Sequence, residues 1–237
     1  MVEATVALVR EIGPERVTVR EAARRAGVSS GAPFRHFPTK VALMTAVAEE
    51  AMRRLREAVA AALRRHAAAP PLLRFRAIGS AYLRWVIDNP GYFQVISDRR
   101  QIDFDGSAAL REDNAVVQQV MEAQLRQAKR QGALRVSDIR RIALSGRALA
   151  YGLARMYTDG HLAQWGVAPQ QAVRQMEAVL DQFLAGIATE PSSPPAPSPA
   201  PPRRAGTPAA LRSAPGRPQR AAPGPGSPAR RGRSGSR

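Results

Sequence analysis

The chain offers few residues for covalent or metal chemistry. Its 237 residues include three histidines and no cysteine, which excludes disulfides, thiolate metal sites and cysteine nucleophiles. His36, His66 and His161 stand on separate elements with no metal-ligand spacing around them. Asp98, Asp103 and Asp105 cluster in a polar stretch, but without a calcium-loop layout they read as loop solvation. No G-x-S-x-G elbow or phosphate-cradling glycine loop is present. The expectation is therefore no catalytic residue, no metal, no cofactor and no enzymatic activity. The informative segment is Thr18–Lys40, TVREAARRAGVSSGAPFRHFPTK.

Thr18 and Glu21 have capping-box spacing, which starts a helix from Val19 to Ala26. Gly27 closes it, as the residue best able to adopt the left-handed conformation past a helix end. Ser29 or Ser30 caps a short following helix that ends near Phe37-Pro38. Pro33 falls inside the free first turn only if Ser30 is the cap, so Ser30 is favoured. Ala22 and Ala23 are small where the helices must cross, and Val28 can plug the angle between them. Helix, tight glycine turn and helix make a helix-turn-helix. Its second helix presents Ser30, Ala32, Phe34, Arg35 and His36 near the exposed side, with Thr39 and Lys40 just beyond, a layout suited to a DNA major groove.

These residues resemble the TetR family of transcriptional regulators. Members show a Thr-capped second helix followed by A-x-x-A-G-V-S-x-G-T-L-Y-x-H-F-x-S-K, and here Ala23 to Lys40 reads ARRAGVSSGAPFRHFPTK. The resemblance covers about the first 60 residues strongly and extends more loosely to residue 188. It implies phosphate contacts from Thr18, His36 and Lys40 and groove contacts from Ser30, Ala32 and Phe34. Arg20, Gly31, Arg35 and Thr39 complete the expected DNA-binding set. Ala32 stands where the family has a hydroxyl, which removes one possible hydrogen bond. Phe34 replaces a tyrosine; it cannot donate to a phosphate but can touch a thymine methyl or a sugar. Met1 falls well inside the family's first helix, so either the start is late or DNA affinity is reduced.

Helical spacing recurs through residues 1–188, with no sustained period-two alternation. A first helix over Val2–Ile12 precedes the pair just described. Thr39 caps a long fourth helix with Leu43, Val47, Leu55, Val59 and Leu63 on its apolar stripe. Pro70-Pro71 open a fifth, stopped by Asn89-Pro90, and a short aromatic piece from Tyr92 to Ile96 leads into a polar loop. The seventh runs from about Ser107 to Gln131 with Val116, Val117, Val120, Met121 and Leu125 inward. Ser137 caps an eighth, and Pro169 sits in the first turn of a ninth that ends near Ala188. The fold expected is all-α, with a three-helix DNA-binding domain at 1–40 and a helical effector-binding and dimerisation domain at 41–188.

The eighth and ninth helices carry seams that alternate by three and four. Ile142, Gly146, Leu149 and Leu153 form one; Val173, Met176, Leu180, Phe183 and Ile187 form the other. Such seams either pair with the same helices of a second subunit in a four-helix interface or face the chain's own core. The expectation is a homodimer through these nine residues. By resemblance, an effector binds among helices four to eight, with Phe75, Tyr82, Trp85 and Tyr92 as candidate lining, joined by Phe93, Met121, Met156 and Tyr157. The stretch Arg147–Leu153, followed by Asp159-Gly160, is similar to the WHG type of TetR C-terminal domain at Gly152, with Arg147 and Tyr151 in place of the Trp and His.

The net charge of +17 is unevenly spread. Residues 189–237 hold nine arginines against Glu190 and 13 of the 20 prolines, too little apolar surface to offset ordering, so this tail is expected to be disordered. No 18-residue apolar run or secretory signal is seen, which makes a cytoplasmic protein without membrane association the expectation. The reading is a one-component regulator, a repressor that binds a palindromic double-stranded DNA operator as a dimer and is released by a small-molecule effector. Two alternatives stand beside it: a charge-driven, non-regulatory DNA-binding protein, and a helical ligand-binding protein with a weakened DNA-binding domain.

Overall fold

Six of the eight α-helices among the described residues begin where the sequence supplies a side-chain acceptor or a proline. Thr18 accepts from the Glu21 amide at 3.1 Å and starts α2, Val19–Arg25. Thr39 accepts from Ala42 at 3.0 Å and starts α3, Lys40–Arg65. Each satisfies one of the amides that a helix start leaves without a partner. Pro71 and Pro90 open α4, Pro71–Asp88, and α5, Pro90–Ser97, positions where a missing N–H costs nothing. Ser107 caps α6, Ala108–Arg130, at 3.1 Å. With α1, Val2–Ile12, α7, Ile139–Thr158, and α8, Ala172–Ile187, these complete the all-α architecture. The structure, a computed structural model, describes residues 1–29 and 32–189. The expectations for Ser30, Gly31 and the tail after Thr189 lie outside the described residues.

Several expectations need correction. The third helix expected from the sequence is a single 3-10 turn, Ala32–Arg35, so eight α-helices rather than nine are seen among the described residues. Pro33 supplies no amide and Pro38 disfavours helical geometry at Phe37, which leaves room for one turn only. That turn is closed by the His36 and Phe37 amides, which both donate to the Pro33 carbonyl, at 3.0 and 2.7 Å. The cap of α7 is Asp138, which accepts from Arg141 at 3.0 Å; Ser137 instead offers its carbonyl to Lys129 at 2.9 Å. On α6, Val116, Val117 and Val120 are half-buried. The stripe that faces inward is Leu110, Asp113, Val117, Met121, Leu125 and Ala128, with Val120 packed against the core beside it, so that only Val116 departs from the expected set. The aromatic piece is itself the helix α5.

One core runs through the described chain. Leu43, Val47, Leu55 and Val59 of α3 are buried in it, with Leu63 half-buried at its edge. α3 and α4 form its centre, α1 and α5 pack at one end, and α6, α7 and α8 lie against α4. The two seams face this core instead of a partner. Ile142, Gly146 and Leu153 are buried within the chain, as are Met176, Leu180 and Ile187. Leu149, Val173 and Phe183 are half-buried. The cause is close approach: a Cβ at Gly146 would lie 2.9 Å from the Phe75 ring, and one at Gly79 3.1 Å from Leu180. α7 and α8 thus press their three-four seams onto α4, and their exposed faces carry a different set, Leu144 and Val179.

Candidate DNA interface and ligand cavity

The segment Thr18–Lys40 is positioned by α1 and α3. Val17, Val19, Ala22 and Ala23 are buried beneath it, and Arg25 forks onto Glu11 of α1 with bonds of 2.7 and 2.5 Å. Gly27, at φ +67°, turns the chain after α2, and the Val28 amide returns to the Ala23 carbonyl at 3.1 Å. This turn carries the Val28 side chain outward, where it is 41% exposed; Val28 does not plug the helix angle. Arg20, Phe34, Arg35, His36 and Thr39 are all exposed on this surface, and Arg20 and Arg35 have no carboxylate partner among the described residues. Pro33 is buried and anchors the 3-10 turn. Thr18 and Thr39 each use the hydroxyl oxygen as a cap. Lys40 donates to the Glu15 carbonyl at 2.7 Å, which ties the start of α3 to the turn after α1 and leaves two of its three N–H groups free.

A cavity of about 140 Å³ lies deeper, lined from every helix from α3 to α8. Of the eight residues named from the sequence, Phe75, Tyr82, Phe93 and Met121 line it. The other four do not. Trp85 is buried in the core farther along α4, with its indole N–H unpartnered. Tyr92 turns to α1, and Met156 and Tyr157 pack half-buried against the core near the end of α7. Periodicity identified the apolar faces but could not say where one stops at a void.

Sequence reasoning missed the polar lining. Arg76, Arg99, Asn114, Arg147 and Tyr151 all reach the cavity. Arg147 donates to Asn114 at 3.0 Å, while Arg76 forks onto Asp181 of α8 and holds that carboxyl below its usual range. Burial pushes the Tyr82 phenol above the ordinary tyrosine value. The available signal was Arg147 and Tyr151 four apart, which puts them on one face of α7. An added Cβ at Gly152 would meet nothing within 4 Å, whereas one at Gly146 would lie 2.9 Å from the Phe75 ring.

α5 joins the cavity to the DNA-facing end. Phe93 lines the cavity and meets Tyr82 and Tyr151 edge-on, at centroid distances of 6.4 and 6.1 Å. Its neighbour Tyr92 donates its hydroxyl to Glu3 of α1 at 2.9 Å, and Arg54 of α3 lies 4.7 Å from the Tyr92 ring and pairs with Glu3. Gly91 permits this: a Cβ there would be 2.7 Å from the Arg10 side chain and 3.0 Å from the Val6 carbonyl.

Among the described residues, no group of histidines and carboxylates could hold a metal ion, and no helix is long and apolar enough to cross a membrane.

Comparison with known proteins agrees with both halves. The profile of bacterial regulatory proteins of the tetR family matches residues 1–47, and that of the tetracyclin repressor-like C-terminal domain matches residues 75–183. The chain is 38% identical over 78 residues to the HTH-type transcriptional regulator BetI of Cronobacter sakazakii, a match spanning 33% of this chain and 39% of that protein. A protein of unknown function from Rhodococcus sp. RHA1 is similar in structure, with a TM-score of 0.65 at 25% identity over 79% of this chain and 93% of that one. The TetR family regulator PfmR from Thermus thermophilus has the same fold, with a TM-score of 0.63 at 21% identity over 77% and 92%. A helix-turn-helix half and a tetracyclin repressor-like C-terminal half, each matched by its own profile and packed as one body, place the chain among the transcriptional regulators of the TetR family.

Proposed function

We propose that this regulator is a cytoplasmic repressor that binds a palindromic operator as a homodimer and leaves it when a small molecule fills the cavity. The observation that carries the reading is the dual placement of α5: Phe93 faces the cavity while the adjacent Tyr92 holds Glu3 on α1. A ligand that displaces Phe93 therefore acts on the helix beneath the DNA-facing segment.

In the DNA-bound arrangement the two helix-turn-helix segments of a dimer stand about one duplex turn apart, ~34 Å. An effector that binds a wider arrangement more tightly shifts the population away from that spacing, by no more than its differential affinity. Dimerisation has support in apolar groups that the single chain leaves to solvent: Leu144 on α7 and Trp165 in the α7–α8 connection are 67% and 77% exposed.

Selection from a random duplex library with the purified chain tests the reading. The expected result is an enriched inverted repeat bound by two chains, and a screen of small molecules against that duplex then yields one that releases it. Tyr92→Phe keeps operator affinity and weakens release by a few fold. Binding without any enriched sequence would favour a charge-driven DNA-binding protein instead. No DNA binding together with retained ligand binding would favour a ligand-binding protein.

A further inference from the structure

The charged groups that line the cavity are all donors. Arg76, Arg99 and Arg147 line it, and no aspartate or glutamate does. Arg76 is neutralised by Asp181 on α8. Arg99 lies 3.3 Å from the Phe104 ring centroid, a cation–π contact that leaves its charge uncompensated. Arg147 has only the neutral Asn114 oxygen as acceptor, and neither Arg99 nor Arg147 is in an ion pair among the described residues. Tyr82 adds an O–H that bonds to no described residue, and burial pushes its phenol above the ordinary tyrosine value.

This arrangement selects by charge. A cationic ligand would meet two unpaired guanidiniums and no counter-ion. A purely apolar ligand would fill the void but make no use of these donors, which reach it from the solvent-exposed residues Arg99 and Arg147. A carboxylate accepts from several at once and matches the planar fork of a guanidinium. The apolar remainder is set by size: the volume of about 140 Å³ is close to that of a cavity of roughly 150 Å³ that takes benzene.

We propose that the effector is a small amphipathic carboxylic acid, bound as the carboxylate, with its head at Arg147 and an apolar body of one ring or a short alkyl chain against Phe75, Phe93 and Met121. The proposal rests on the reading of this cavity as the effector site.

Calorimetric titration of the full chain with matched probes tests it: phenylacetate against phenylacetamide and phenethylamine, and hexanoate against hexanamide. At least one carboxylate is expected to bind about tenfold or more tightly than its own amide, the amine not at all. Arg147→Gln should erase the preference by weakening the carboxylate far more than its amide, and Arg147→Lys should restore part of it. Arg147 lies on the exposed side of α7, and the thermal unfolding of each variant reports its folding. Amides or the amine binding as tightly as the carboxylates would overturn the charge assignment while leaving the cavity as the site. A preference unchanged in Arg147→Gln would overturn the assignment of the head. No binding by any probe would remove both the acid and the cavity.

Discussion

Individual side chains do their work here through a small number of charge and capping contacts. The Arg53 guanidinium beside Glu50 is the main cause that holds this carboxyl at about 2, against an ordinary value of 4.5, with Arg54 adding to it and partial burial opposing. Because the folded value is the lower one, ionised Glu50 stabilises the fold above pH 4.5, and the contribution fades as pH falls from 4.5 through about 2. Urea midpoints measured across that window should therefore decline less steeply in Glu50→Gln than in the parent chain. A parallel decline in both would show that this ion pair contributes nothing. Thr18 and Thr39 as caps and Gly27 as a left-handed turn were legible in the sequence, because each rests on local backbone chemistry. The pairing of Arg54 with Glu3 and the partners of Arg76 and Arg147 were not, since these lie on other helices far along the chain.

Among the elements, every helix but one was foreseeable from caps, prolines and three-four spacing. The exception is Ala32–Arg35, where Pro33 and Pro38 limit the chain to one 3-10 turn. Periodicity also marked the seams of α7 and α8, but it does not say what a seam faces, and here they face α4. The consequence is measurable. Met176, 1% exposed, fills the core, so Met176→Ala should lower stability by about 2–5 kcal/mol in chemical denaturation. Leu144→Glu should leave unfolding nearly unchanged and shift sedimentation from dimer toward monomer. A stable dimer in Leu144→Glu would place the interface elsewhere.

At the scale of the whole molecule, the charge of +17 is a poor guide to DNA recognition. Nearly half of it lies in residues 190–237, and arginine count carries no sequence information. The surface proposed to read a duplex is Arg20, Phe34, Arg35 and His36, exposed over the buried Val17, Val19 and Ala22. The direct test compares the affinities for the selected operator and for a scrambled duplex of equal length, at rising salt, with the full chain and with a chain ending at Thr189. Both chains are expected to prefer the operator by about 10³-fold or more near physiological salt, with the tail adding only salt-sensitive affinity for either duplex. Equal affinities that collapse together with salt, or a preference lost with the tail, would contradict operator recognition by this surface.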